Sequence, residues 1–383
     1  MALVKPDIGR FAKIKVFGVG GGGGNAINTM VEADLITGVD FVAVNTDAQA
    51  LLASHAPVKL QIGDNLTRGL GAGGNPEIGY QSAEESREKI KESLLDTDMV
   101  FITGGMGGGT ATGASPVIAE VAKELEILTI AVVTKPFTFE GSRRMMAAEE
   151  GISNLKEKVD ALIVVPNQKL LDSIDKKVTL VDAFKMVDSV LAQGVQGISD
   201  VITLPGLINR DFADIKSVMK EAGSAFMGIG TGAGDNRAQT AARGAITSPL
   251  LEVSINGARG ILFTITGGPD LTMAEVEEAS KIITEHADAA ANIIFGATIS
   301  DKMVDQVKVS VIATGFDESR LGLHRFVQRP ASFPPQQLSQ DEAPGGNGKD
   351  GHLVEEEHKE ELNRDEMGEE FEMPTFLRLG RQQ

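Results

Sequence analysis

The run Gly107-Gly108-Gly109-Thr110-Ala111-Thr112-Gly113 follows the apolar segment Met99-Val100-Phe101-Ile102 and leads into a helix-like stretch, Ser115 to Leu125. A buried strand that ends in glycines and feeds a helix N-terminus is suited to holding phosphate. Glycines let backbone N–H groups crowd an anion, and the helix dipole favours negative charge there. The two threonines add short donors. No lysine follows the glycines, so the G-x-x-x-x-G-K-[ST] pattern fails. Positive charge or a metal must come from elsewhere.

From Lys13 to Val165, short β-branched runs alternate with helix-length segments. Lys13–Val19, Phe41–Val44, Val58–Ile62, Met99–Thr103, Ile127–Val133 and Ala161–Val165 read as strands. Continuous apolar strands between helices argue for an α/β fold with a parallel sheet buried on both faces. Ligands of such sheets sit beyond the carboxyl ends of the strands. Both glycine runs fall there: Gly18–Gly24 after the first strand and Gly104–Gly113 after the fourth.

A long helix is expected from Leu180 to Ile202, with apolar residues at 180, 184, 187, 191, 195, 198 and 202. Thr179 and Asp182 resemble a cap at its start, Pro205-Gly206 a stop, and its apolar stripe should be core. A second region follows from about Ala222 to Phe316, with strands Ala225–Ile229, Gly260–Ile265, Asn292–Phe295 and Val307–Ala313 and helices Arg237–Ala245 and Met273–Ala287.

Composition narrows the function. The chain of 383 residues has no Cys, which excludes a disulfide scaffold and Cys-based zinc sites, and its 5 His have no metal-ligand spacing. No apolar run approaches the roughly 20 residues of a membrane span, and the N-terminus lacks the blocks of a secretion signal, so a cytoplasmic protein is expected. Of the formal charge of −18, residues 340–372 carry −10. The body is only mildly acidic and offers no nucleic-acid-binding surface. Residues 330–351, with four Pro and a Gly-Gly-Asn-Gly stretch, join the acidic block in a composition that cannot bury enough apolar area to order itself. The final residues regain an apolar knot, Phe371, Met373, Pro374, Phe376 and Leu377, beside Arg378 and Arg381, which reads as a docking peptide on a leash.

Several constellations carry chemistry. Gly18-Val19-Gly20-Gly21-Gly22-Gly23 fits G-x-G-x-x-G, with Asp40 about twenty residues on, and by itself suggests a dinucleotide fold. A second glycine run suits a longer phosphate chain better. A third cluster, Arg68 to Pro76, is either a lid reaching the terminal phosphate or a long surface loop. Thr134-Lys135-Pro136-Phe137 to Glu140, with Arg143 and Arg144, offers positive charge and a carboxylate for ribose hydroxyls. Phe184 and Asp188 lie one turn apart on the long helix, a ring to stack on a base and a carboxylate to accept guanine's two N–H groups. For a lone Phe such as Phe184, core packing is the commoner role. Past that helix, Asp211 and Asp214 could cap and start the next helix or, with Asn209, orient a water for attack on phosphorus.

Together these pieces resemble the FtsZ family, the bacterial relatives of tubulin. Gly107–Gly113 is similar to the signature G-G-G-T-G-T-G, and Asn209–Asp214 to N-x-D-F-A-D. Thr134–Gly141, Asp182-Ala183-Phe184 and Gly194–Ile198 also match, and Met373–Arg378 resembles the family's partner-binding peptide. The resemblance covers about residues 10–316 plus that peptide. It implies a tubulin-like two-domain fold with seven parts. These are a flexible segment 1–12, a GTP-binding domain 13–178, a central helix 179–203, a catalytic loop and helix 204–221, an α+β domain 222–316, a disordered acidic linker 317–370 and a partner-binding peptide 371–383.

The implied activity is GTP hydrolysis by head-to-tail filaments at the midcell division site. Gly21, Gly22, Gly23, Gly24 and Asn25, with Gly107, Gly108, Gly109, Thr110 and Ala111, would hold phosphates. Asn25, Phe184 and Asp188 would hold guanine, and Glu140 and Arg144 would lie near ribose and phosphate. Asn209, Asp211 and Asp214 would serve the neighbouring subunit's site. That division is physically sensible, because the carboxylates lie past a helix of some twenty residues, roughly 30 Å. Mg2+ would be held mainly by phosphates and water. Partners implied are further copies of the chain, and membrane tethers and division regulators at the terminal peptide, with no nucleic acid and no direct membrane insertion.

Ala111 departs from the signature's glycine. If that position needs a left-handed backbone, its methyl costs on the order of 1 kcal/mol. Arg210 adds a cation beside the two carboxylates. Two other readings are a GTP-binding filament protein that scarcely hydrolyses, opposed by Asp211 and Asp214, and a nicotinamide-dependent oxidoreductase, which leaves the second glycine run and Asp188 unused. Removing residues 371–383 is expected to spare GTP-dependent assembly, read by light scattering, while abolishing partner docking; failure to assemble would contradict the leash reading.

Overall fold

The computed structural model describes residues 12–33, 36–172, 178–203, 211–248, 255, 257–288 and 290–316. Asn209, Arg210, the Pro205-Gly206 stop, the linker 317–370 and the peptide 371–383 lie outside them.

The strands are β1 (Ile14–Val19), β2 (Val39–Asn45), β3 (Val58–Gln61), β4 (Met99–Gly105), β5 (Leu128–Lys135), β6 (Ala161–Pro166), β7 (Gly223–Ala233), β8 (Gly260–Gly267), β9 (Asn292–Ile299) and β10 (Gln306–Thr314). They form one sheet in the order β3-β2-β1-β4-β5-β6-β7-β10-β8-β9. From β3 to β6 every pair is parallel. β7 joins β6 in parallel through Gly223–Ala225 alone. Beyond it, β10 runs antiparallel to β7 and β8, and β9 is parallel to β8.

Alternating residues of each central strand supply two separate cores, as the two-residue period of a strand requires. Phe101, Ile130, Val132 and Ile163 face a core that includes Val187, Leu191, Val195 and Ile198 of the central helix, Leu180–Thr203. Phe17, Val100, Ile102 and Val133 face the other, shared with Ala114, Ile118 and Val121 of the helix Thr110–Glu124. The central helix therefore covers one face of the sheet and the signature helix the opposite one.

The central helix starts as its sequence suggests: Asp182 N donates to Thr179 Oγ1 at 3.2 Å, and the hydroxyl donates to the Asp182 carboxylate at 2.6 Å. Its apolar stripe is not core throughout, however. Leu180, Val181 and Phe184 are 60%, 63% and 41% exposed, and the stripe becomes buried only from Ala183 and Val187 onward.

On the opposite face, glycines let three helices pack closely. A methyl group on Gly113 would overlap the Pro76 carbonyl and the Tyr80 N–H of the helix Pro76–Glu85, and one on Gly151 would overlap the Thr112 methyl. Gly24, in the first helix Gly20–Glu32, has open space where a Cβ would go. Urea denaturation of the nucleotide-free protein is therefore expected to show Gly113→Ala less stable by about 1–3 kcal/mol, whereas Gly24→Ala gains up to about 1 kcal/mol from helix propensity. Equal effects at both positions would contradict the close-contact account.

Candidate functional site

Both glycine runs turn at the carboxyl edge of the parallel strands. β1 ends at Val19, and Gly20, with φ +72°, redirects the chain into the first helix. That helix starts hard against β4: a methyl on Gly22 would lie 3.2 Å from Gly105 N, and one on Gly23 2.5 Å from the Thr103 carbonyl. The second turn hinges on Gly107, with φ +96°, where a Cβ would sit 2.5 Å from the Arg144 carbonyl. Gly107 N donates to Thr112 Oγ1 at 2.9 Å, which closes the turn. The two turns adjoin each other, since a Cβ on Gly20 would lie 3.1 Å from Ala111 N.

The helix after the second turn begins at Thr110, five residues before the expected Ser115. Thr110 to Thr112 thus open its first turn, where main-chain N–H groups lack carbonyl partners within the helix, and Gly113 N is the first to donate back, to the Gly109 carbonyl at 3.1 Å. Ala111 sits in that turn and is absent from the left-handed residues, so the condition under which its methyl would cause strain is not met. Its methyl, buried beside Gly20 and Gly104, occupies space that both glycines leave free. Gly21, Gly24 and Gly108 have nothing near the position of a Cβ, so the backbone there is open to an approaching anion.

The third cluster is anchored at several points. Gly69, Gly71, Gly73 and Gly74 all have positive φ, as does Arg68. Ala48 N donates to the Gly69 carbonyl at 3.1 Å and Gly71 N to the Thr46 carbonyl at 3.3 Å. Ala72 is buried, and a Cβ on Gly109 would lie 2.7 Å from its methyl. The exposed tip Gly73-Gly74 therefore stands beside the second phosphate turn. Sequence reasoning passed over Asn45-Thr46-Asp47, directly after β2. Thr46 is fully buried with Oγ1 2.7 Å from Thr110 Oγ1, and Asp47 caps the helix Ala48–Ala53.

Beside these turns lie the groups expected to hold a base. Asn25 is exposed and lines a hollow of about 160 Å³ with Gly21, Asn28 and Asn45. Phe184 is 41% exposed and meets Phe137 edge-on at 5.5 Å, while Phe139 stacks on Phe137 at 5.1 Å. One turn along, burial pushes the Asp188 carboxyl up to about 6. Asn167, at the carboxyl end of β6, is 5% exposed and its Oδ1 has no hydrogen-bond partner. A buried carboxamide oxygen without a donor costs roughly 1–3 kcal/mol, which a ligand N–H would relieve. Nothing in the sequence marked it, because a lone Asn after a strand has no period. Glu140 is partly committed already: it accepts from Phe137 N at 2.8 Å and pairs with Arg144 at 2.9 Å.

Asp211 and Asp214 lie at the other end of the sheet. Asp211 caps the helix Phe212–Met219, its Oδ1 accepting from Asp214 N at 3.2 Å. Phe212 lines a hollow of about 410 Å³ with Lys13, Asp98 and Ile127, the residues that precede β1, β4 and β5. The glycine turns follow the carboxyl ends of β1 and β4. About six strand residues, or ~20 Å, separate the two ends. Asp211 and Asp214 are thus remote from the phosphate turns of their own chain.

Among the described residues no group of three or more His, Cys, Asp or Glu could hold a metal ion. None of their helices is long and apolar enough to cross a membrane.

Comparison with known proteins supplies the family. Residues 13–175 match the Tubulin/FtsZ family GTPase domain and residues 223–317 the FtsZ family C-terminal domain. Among solved structures, the chain is similar to an empty FtsZ dimer of M. jannaschii, with 47% identity, 79% of this chain and 88% of that chain covered, and a TM-score of 0.76. A mutant of that protein gives 48% identity, 79% and 91% coverage and a TM-score of 0.76. CetZ2 from Haloferax volcanii, in a GTPγS-bound protofilament, shares the fold at 19% identity, with 80% and 94% coverage and a TM-score of 0.68. The chain belongs to the FtsZ family, with a tubulin-like GTPase domain followed by an FtsZ C-terminal domain.

Proposed function

We propose that this filament-forming cell-division GTPase builds each active site from two copies of the chain, one giving the nucleotide pocket and the next giving Asn209, Asp211 and Asp214. The observation that carries this reading is the placement of Asp211 at the amino end of the parallel strands, opposite the glycine turns. A head-to-tail contact brings one copy's amino edge onto the other's carboxyl edge. Domain limits of 13–178 and 222–316, joined by the central helix, belong to the same reading.

In the pocket, the helix start Gly21 to Asn25 and the turn Gly107 to Ala111 receive the phosphates of GTP on those main-chain N–H groups that no protein acceptor already holds. They are fixed before the ligand arrives, so little reorganisation is needed as charge develops on the phosphoryl oxygens. Thr46 and Thr110 offer hydroxyls at the same edge. Arg144 lies near the phosphates and shares its charge with Glu140, which faces the ribose. The donor set is mostly main-chain N–H groups and hydroxyls, which suits a polyphosphate and leaves Mg2+ to phosphate oxygens and water. When bound, that ion offsets phosphate charge that no Walker lysine meets.

Guanine stacks on Phe184, gives its N1–H and N2–H groups to Asp188, and lies within reach of Asn25 and Asn167. The carboxylates of the next copy, with Asn209, orient the attacking water. The terminal peptide Met373–Arg378 carries the contacts to tethers and regulators, and the protein works at the division site at midcell.

Two outcomes test this. Asp214→Ala is expected to bind GTP as the parent does while turnover falls by about 10²-fold or more; loss of GTP binding would place Asp214 in its own chain's pocket. Asp188 must be ionised to accept both guanine N–H groups. Burial has raised its carboxyl above the ordinary value, so in the free protein it gains a proton as pH falls through about 6. GTP affinity is therefore expected to drop between pH 7 and 5. Asp188→Asn should bind GTP weakly at every pH and gain affinity for xanthosine triphosphate, whose second carbonyl accepts from the new amide. Unchanged GTP affinity in the variant would remove Asp188 from the base site.

A further inference from the structure

Behind the second phosphate turn lies a groove of about 490 Å³ that the GTPase reaction does not use. It runs between the helices Pro76–Glu85, Thr110–Glu124 and Ser142–Lys156, which Gly113 and Gly151 allow to pack closely. Pro76, Val117, Ala147 and Gly151 give it an apolar lining, and the side of Tyr80, 46% exposed, forms part of its wall. Glu77, Glu120, Glu150 and Glu157 also line it, with Lys158 as the one lining cation. Lys158 is already bonded to Glu120, which also accepts from Arg87 at 3.2 Å, and the Lys158 ammonium beside Glu120 holds that carboxyl below its usual range.

We propose that this groove takes a small amphipathic amine, an aromatic or aliphatic body bearing one ammonium group. The volume falls within the range of small-molecule pockets, whereas a protein partner needs a far wider patch. The apolar lining receives the body of the ligand. Glu77, Glu150 and Glu157 have no Lys or Arg of the described residues at ion-pair distance, so the lining keeps an excess of negative charge that an anionic or neutral ligand leaves unmet. Tyr80 adds an aromatic group to the lining, beside which an ammonium is favoured. Thr112 and Gly113 belong both to this groove and to the first turn of the signature helix, so the occupant lies on the reverse side of the phosphate cradle.

The sequence supplies its own reporter. Tyr80 is the single tyrosine of the chain and there is no tryptophan, so tyrosine emission comes from this groove alone. Tryptamine is the probe: its indole accepts energy from Tyr80, and bound probe shortens the tyrosine fluorescence lifetime. With full-length, nucleotide-free protein, saturable shortening is expected with Kd on the order of 1 mM, as befits a ligand of this size. Tryptophol, the neutral alcohol of the same shape, should bind at least about fivefold more weakly. Glu150→Gln combined with Glu157→Gln, which keeps side-chain shape, should weaken tryptamine and leave tryptophol unchanged. Absence of saturation up to tenfold above the expected Kd overturns the proposal. So does equal binding of tryptophol, or equal tryptamine affinity in the double variant. Because Glu150 and Glu157 line this groove and not the hollow beside Asn25, the double variant separates this outcome from binding of tryptamine in the empty GTP pocket.

Discussion

The parallel alignment of β1 to β6 is the constraint on which the rest depends. Parallel strands give the sheet two unlike edges. Turns that follow carboxyl ends meet at one edge, where helix N-termini also point, and that edge attracts anions. Gly20 and Gly107 redirect the chain there, within reach of each other. The opposite edge receives what the central helix delivers, the capped start of Phe212–Met219 beside Lys13 and Asp98. With 24 residues, that helix spans about 36 Å, enough to carry the chain from one edge to the other. A parallel sheet and one long helix therefore separate the glycine turns from the two carboxylates within one chain.

The glycines serve two separate physical ends, which their clustering in the sequence hides. Gly107 is required by its left-handed backbone, and Gly108 leaves a main-chain surface open. Gly113, in the same run, lies against the helix Pro76–Glu85 and permits it to approach. Ala111 fits because the helix has already begun, and its methyl fills the gap beside Gly20 and Gly104. The glycine run is therefore partly an open main-chain surface and partly a packing contact, and Gly113, whose Cβ would overlap the Pro76 carbonyl, resists a side chain as firmly as Gly107 does.

Much of this was legible beforehand for a definite reason. The central strands are buried on both faces, so they read as unbroken apolar runs, and the central helix shows its period over 24 residues. The helix start at Thr110 was hidden because Thr110, Thr112 and Gly113 are weak helix formers, and tertiary contact overrides their preference. Leu180 and Phe184 continued the apolar period but lie past the sheet's cover, a limit that periodicity does not encode. Thr46 and Asn167 are single polar residues at strand ends, with significance that arises only from burial and from the partner each has or lacks.

Conditional chemistry is the central consequence of the separated edges. The direct measurement is phosphate release per molecule across a dilution series, with bound GTP determined in the same samples. The two-copy site predicts full GTP occupancy throughout, near-zero release in dilute protein and a steep rise above a threshold concentration. Constant release per molecule down to the most dilute sample, with GTP still bound, would mean that one chain completes its own active site.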